Sequence, residues 1–184
     1  METELWFVRH GRTAGNRSSF TIYGRIDLPL DEVGVSQARS CRRTLNGEHF
    51  DAVYCSPLKR ARQTAEIVTQ GITAPAIQYD ERIVERAFGP YEGLWRPFTM
   101  IKLWNYDQSY VKSRRGEESI LGLEMRVHEF LEEIREKHEG QKILVIAHSG
   151  VATMIDAILN DRERTGWFFR HFHMDNGAVS KFYL

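Results

Sequence analysis

Apolar residues in this chain fall into short runs that alternate with stretches of helical spacing. Leu5-Trp6-Phe7-Val8 is too brief for a helix and breaks at Arg9-His10-Gly11, which predicts a buried strand ending in a polar turn. After Asp31, Val35, Ala38, Cys41 and Leu45 recur at helical spacing until Asn46-Gly47 stops them. Ala52-Val53-Tyr54-Cys55 predicts a second strand. Ser56-Pro57 then suits the N-cap and first position of a helix running to about Gln70. A third strand is expected around Ala76 to Tyr79, and the stretch from Asp80 to Glu118 has no single period, only a short helix near Phe98–Trp104. From Ser119, the residues Leu123, Val127, Phe130, Leu131 and Ile134 line one face of the longest predicted helix, which ends at Gly140. Ile143-Leu144-Val145-Ile146-Ala147 forms a β-branched run ending in His148-Ser149-Gly150. A helix from Val151 to Leu159 and a last strand near Ala178–Tyr183 follow.

Strands that are apolar on both faces and alternate with helices indicate an α/β fold, a three-layer α/β/α sandwich around a mainly parallel sheet. The irregular stretch at about 80–118 reads as a cap inserted into a single domain spanning 1–184. No internal repeat or low-complexity linker interrupts it. Composition narrows the functional classes. Among 184 residues, 25 Lys plus Arg balance 25 Asp plus Glu, so no overall field favours nucleic acid or an anionic membrane. No apolar run approaches the roughly 18 residues of a membrane span. The start, METELWFVRH, lacks the basic opening and apolar core of a signal peptide, and only Cys41 and Cys55 occur as cysteines. A cytoplasmic protein of a reducing compartment is expected, with no nucleic-acid or membrane partner and its oligomeric state open.

Two predicted strands end in the same kind of polar turn, Arg9-His10-Gly11 and His148-Ser149-Gly150. In sheets of this class ligands gather beyond the carboxyl ends of the strands. An Arg beside His10 offers a planar fork matched to phosphate or carboxylate oxygens. Arg60, in the first turn of the helix after the second strand, is unfavourable to that helix alone, which suggests that it serves an anion. His171 and His173 alternate in an extended segment and lack the carboxylate or cysteine pattern that would complete a metal site.

These residues carry a specific resemblance. The chain resembles the histidine phosphatase superfamily, which includes the phosphoglycerate mutases: Arg9, His10 and Gly11 match its opening signature, with Asn16 at the expected spacing. Gly24-Arg25-Ile26-Asp27-Leu28-Pro29-Leu30, Gly34 and Gln37-Ala38 match its next loop and helix. Ser56, Leu58, Arg60-Ala61 and Thr64-Ala65 match its second arginine motif, Glu85, Gly89 and Glu92-Gly93 its acid loop, and Ala147-His148 with Gly150 its second histidine. The resemblance implies a metal-independent phosphatase without a cofactor, acting on a small phosphorylated substrate. His10 would be the nucleophile and Glu85 the proton donor, kept protonated near neutral pH by desolvation. Arg9, Asn16, Arg60, His148 and Ser149 would hold the phosphoryl group. Arg12, Arg86, Lys112, Arg114 and Arg115 are candidate contacts to the rest of the substrate. Many relatives carry Glu or Gln where this chain has Arg12, and Gly where it has Ser149. The glycolytic mutases are longer, which ranks hydrolysis above mutase activity. An α-ribazole phosphatase of cobalamin synthesis is one specific role left open, and a noncatalytic phosphate-binding scaffold is the reading from another class.

Overall fold

The structure is a computed structural model describing residues 2–17, 21–94, 116–164 and 172–184. The expected helix near Phe98–Trp104, the cap residues Lys112, Arg114 and Arg115, and His171 lie outside the described residues. The strands are β1 (Glu4–Arg9), β2 (Ala52–Cys55), β3 (Gln78–Tyr79), β4 (Lys142–Ala147) and β5 (Val179–Tyr183), in the spatial order β3-β2-β4-β1-β5. Neighbours in β3-β2-β4-β1 are parallel, and β5 runs antiparallel against β1. The helices are α1 (Glu32–Thr44), α2 (Lys59–Val68), α3 (Ile120–Lys137) and α4 (Ser149–Leu159).

Alternation along the strands builds the three layers. Leu5, Phe7, Ile143 and Val145 pack with Leu123, Val127, Phe130 and Ile134 of α3 and with Val151 and Ile155 of α4. The opposite-facing Trp6, Val8, Leu144 and Ile146 pack with Cys41 of α1 and its C-cap Leu45 and with Ala61, Ala65 and Val68 of α2. Both faces of β1 and β4 are therefore covered, which is why these strands read as continuous apolar runs rather than as alternating ones.

Caps explain most element boundaries. Asp31 accepts the Gly34 amide at 2.8 Å and Ser119 accepts the Gly122 amide at 3.0 Å, so α1 and α3 start where the sequence predicts. α2 departs from expectation: it begins at Lys59 rather than at Pro57, and its N-cap Leu58 makes no side-chain cap bond. A carboxylate from a distant loop caps it instead, Asp27 Oδ1 accepting the Lys59 amide at 2.7 Å. α4 starts at Ser149, two residues before the predicted Val151, because His148 already supplies the carbonyl accepting the Ala152 amide. β3 is only two residues long; upstream of it, Thr73 pairs with His49 in an isolated parallel bridge.

The register between β1 and β4 positions the chemistry. Arg9 lies opposite Ala147, so the next residue of each strand, His10 and His148, emerges at the same sheet edge. Two glycines let α1 come close to that turn. A Cβ on Gly34 would lie 2.0 Å from the Arg12 carbonyl oxygen, and one on Gly11 would lie 2.4 Å from the Gly34 carbonyl oxygen. Backbone packs on backbone there, and neither position has room for a side chain.

Candidate active site

His10 and His148 are buried, with ring centroids 5.0 Å apart. His10 Nδ1 lies 2.7 Å from the Gly11 carbonyl oxygen, which can only accept, so Nδ1 carries the proton. Arg60 Nε donates to His10 Nε2 at 3.2 Å, which requires a lone pair on Nε2. The ring is thus a neutral imidazole with its free nitrogen facing a guanidinium. Burial, reinforced by the fields of Arg60 and Arg9, holds its pKa well below 6.5. His148 is held low in the same way, by burial first and then by Arg60, His10, Arg126 and Arg9.

These shifts fix a stability prediction. Above pH 6.5 the folded and unfolded chains both carry neutral imidazoles at these positions. As pH falls below 6.5, the unfolded chain takes up protons that the folded one refuses, so stability is lost by up to about 1.4 kcal/mol per pH unit for each histidine. Asp31 and Glu118, whose pKa values are lowered although burial opposes it, add to this only in the carboxylate range. Urea midpoints are therefore expected to fall between pH 7.5 and 5.5, and to fall less in His148→Gln. Equal slopes in the two proteins would contradict the assignment.

Arg60 is nearly fully buried, and its fork is fixed by main-chain oxygens: Nη2 donates to Gly24 O at 2.6 Å and Nη1 to Ile26 O at 3.0 Å. Burial pulls the guanidinium pKa down, opposed by the carboxylates of Glu85, Asp27 and Glu92; an arginine stays cationic regardless. The loop carrying those two carbonyls is stapled by Glu92, whose carboxylate accepts the amides of Arg25, Ile26 and Phe88. Thr64 ties α2 to the first turn, accepting the Gly11 amide at 3.1 Å and donating to Arg60 O at 2.7 Å. Arg9 is held by a bond to the Met174 carbonyl oxygen and lies within the field acting on both histidines.

Glu85 is brought to the same edge. Its Oε1 accepts the Arg86 amide at 2.9 Å, and Oε2 accepts the Gly150 amide at 3.2 Å in the first turn of α4. Each carboxyl oxygen thus receives an amide N–H, which holds the group in one orientation. Asn16 Oδ1 accepts from the Thr13 amide and hydroxyl at 2.7 and 3.2 Å, and its Nδ2 reaches Asn176 Oδ1 at 3.4 Å. Asn176, absent from the sequence expectation, donates through Nδ2 to His10 O at 2.9 Å. Ser149 is the first residue of α4 and half-buried.

Arg12 and Arg86, both expected to contact substrate, have partners within the protein. Arg12 Nε bonds Asp31 Oδ2 at 2.8 Å, and its amide donates to Gln37 Oε1 at 2.8 Å. A half-exposed pair of this kind is worth at most about 1 kcal/mol, so its effect is to fix the N-cap of α1 beside the first turn. Arg86 is buried to 2% exposure, donates to Glu118 O at 2.8 Å and lies 5.4 Å from the Phe88 ring centroid. Its long side chain fills the acid loop from within. Among the described residues no group of three or more His, Cys, Asp or Glu could hold a metal ion; His173 is exposed, 3.4 Å from Asp175. No helix among them is long and apolar enough to cross a membrane. Cys55 is buried, and desolvation pushes its thiol pKa up, away from a thiolate nucleophile.

The sequence profile of the histidine phosphatase superfamily, branch 1, matches residues 5–184. The chain belongs to this superfamily. It is similar to the adenosylcobalamin/α-ribazole phosphatase of Escherichia coli strain K12, 30% identical over 182 residues covering 96% of this chain and 87% of that protein. It is similar to the metal-independent phosphoserine phosphatase of Arabidopsis thaliana, 34% identical over 160 residues, covering 83% and 67%. Among solved structures, YhfR from Bacillus stearothermophilus superposes with a TM-score of 0.83 at 26% identity, covering 97% of this chain and 90% of that one. With phosphatases among its relatives, this histidine phosphatase superfamily member is a phosphoric monoester hydrolase. The α/β architecture expected from the sequence is the one observed.

Proposed function

We propose that the chain hydrolyses small organic phosphomonoesters in two displacement steps through a phosphohistidine on His10. The observation that carries this reading is the tautomer of His10: Nδ1–H is engaged by Gly11 O, leaving the Nε2 lone pair at the mouth of a buried, arginine-lined site. In the first step Nε2 attacks phosphorus and the P–O ester bond breaks. Glu85 gives its proton to the departing alkoxide. Water then attacks the phosphoryl group, Glu85 takes a proton from it, and inorganic phosphate leaves His10 neutral. Arg60 Nε, which faces the nucleophile lone pair, transfers its hydrogen bond to a phosphoryl oxygen when substrate enters. Arg9, Arg60, His148 and Asn16 together supply the donors that stabilise charge on the equatorial oxygens, which supports metal-independent chemistry.

Rapid quenching during turnover of p-nitrophenyl phosphate labelled in the phosphoryl group is expected to trap an acid-labile, base-stable label on His10. Activity should persist after exhaustive chelation and fall with vanadate, whose five-coordinate form resembles the in-line transition state. Absence of label in wild type under burst conditions would refute the mechanism. Phosphoserine and α-ribazole phosphate are the first physiological esters to assay, because relatives bear those names.

The role of Glu85 separates by leaving group. A phenol departs without a proton and an alkyl alkoxide does not, so Glu85→Gln should slow phosphoenzyme formation from an alkyl phosphate by about 10²-fold or more, and from p-nitrophenyl phosphate far less. Single-turnover comparison of the two esters checks this. Equal losses would assign Glu85 to substrate positioning alone.

A further inference from the structure

We propose that Ser56 is a positioning residue that fixes the tautomer of His148, keeping the proton on Nδ1 so that this nitrogen donates to a phosphoryl oxygen. The inference rests on the reading of His148 as a phosphoryl contact. Ser56 and His148 are both fully buried, and Ser56 Oγ lies 2.7 Å from His148 Nε2. The Leu58 amide approaches the same Oγ at 3.4 Å, and an amide can only donate, so Oγ is an acceptor on that side. The hydroxyl proton also needs an acceptor, because a buried donor left without one is costly. Among the described residues, the partners of this hydroxyl are the Leu58 amide and His148 Nε2, and only the second can accept. Nε2 therefore presents a lone pair, and a neutral ring then carries its proton on Nδ1.

The other end of the ring supplies the independent observation. His148 Nδ1 is buried and has no hydrogen-bond partner among the described residues. A buried N–H without a partner is unfavourable, and such groups in folded proteins recur where a ligand completes them. This one belongs to a ring 5.0 Å from the ring of the nucleophile, at the edge where Arg60 and Glu85 also meet. In the opposite tautomer Nδ1 would turn a lone pair toward phosphoryl oxygens, and the Ser56 proton would have nowhere to go. Protonating the ring is opposed by burial and by the neighbouring arginines, so the donor at Nδ1 must come from the neutral form. The chain of donors is then directional: Leu58 N–H to Ser56 Oγ, Ser56 O–H to His148 Nε2, His148 Nδ1–H to the phosphoryl group. The Ser-Pro pair that resembles a helix start in the sequence serves the second histidine instead.

Nitrogen-15 NMR of histidine-labelled protein at pH 7.5, assigned with His148→Gln, is expected to show His148 protonated at Nδ1 and bare at Nε2, with the Nδ1 signal shifting on vanadate binding. Ser56→Ala should redistribute the tautomers and lower kcat/KM on p-nitrophenyl phosphate by roughly tenfold to a hundredfold, whereas Ser56→Thr, which keeps the hydroxyl, should recover the Nδ1–H signature. A proton on Nε2 in wild type would overturn the proposal without any variant having to fold, as would an unchanged tautomer and rate in Ser56→Ala. Phosphoryl labelling of His10 on the same preparations separates the two readings. Normal labelling with an Nε2 proton on His148 defeats only the role of Ser56, and failure to label His10 defeats the phosphohistidine mechanism itself.

Discussion

Replacing His10 with alanine is expected to lower kcat/KM by a factor on the order of 10⁴ or more and to abolish phosphoenzyme, since nucleophile knockouts in enzymes that form a covalent intermediate cost this much. The variant should still fold. His10 contributes a ring bonded to Gly11 O and Arg60 Nε, and neither bond holds an element in place. Arg60 keeps both main-chain anchors and Thr64 keeps its bond to Gly11, so the empty site retains its shape. Acid destabilisation below pH 6.5 should become shallower in the same variant, because one of the two buried neutral imidazoles is gone. Circular dichroism, urea midpoints and p-nitrophenyl phosphate kinetics measure all three. Retention of more than a tenth of wild-type kcat/KM would assign the nucleophile to another group.

The second large effect concerns geometry at constant charge. Arg60→Lys is expected to cost about 10²- to 10³-fold in kcat/KM, the range for losing a preorganised donor at developing charge. The guanidinium divides its work: two Nη atoms hold Gly24 O and Ile26 O while Nε faces His10 Nε2. An ammonium on a flexible stem cannot hold two carbonyls and a reacting group in one plane. A buried carbonyl left without a donor costs about 1–3 kcal/mol, so thermal stability should drop with activity, and vanadate should bind more weakly. A rate within threefold of wild type would mean that Arg60 acts as a point charge.

The elements legible in the sequence were those whose signals are local. The runs at Leu5–Val8 and Ile143–Ala147 became adjacent strands because both their faces are covered, and Asp31 and Ser119 cap α1 and α3 as their side-chain chemistry requires. The candidate site was legible as residue types at strand ends, and its principal members meet at one sheet edge. Long-range partners were not legible. Asp27 caps a helix that starts at Lys59, Glu92 binds the amides of Arg25 and Ile26 far up the chain, and Asn176 reaches back to His10 O. No spacing rule announces a carboxylate that serves amides of another segment. The internal partners of Arg12 and Arg86 were equally hidden, because a cation near an anion site looks alike in sequence whether it faces a ligand, a carboxylate or a carbonyl of its own protein.

Strand β1 is paired on one side by residues 142–147 and on the other by residues 179–183, all far along the chain. The turn that presents His10 is completed late in the same way: Arg9 N bonds Ala178 O, Gly177 N bonds Arg9 O, and Asn176 holds His10 O. Gly177 takes φ +75° there, with a Cβ-sized space closed at 2.9 Å by Gln37. Non-local pairings of this kind must close long loops before any contact rewards them, and they slow folding. During refolding, α1 and α2 can therefore pack together before His10 is held in place. Recovery of phosphatase activity should lag recovery of helical signal, making catalysis a reporter of the last docking event rather than of collapse.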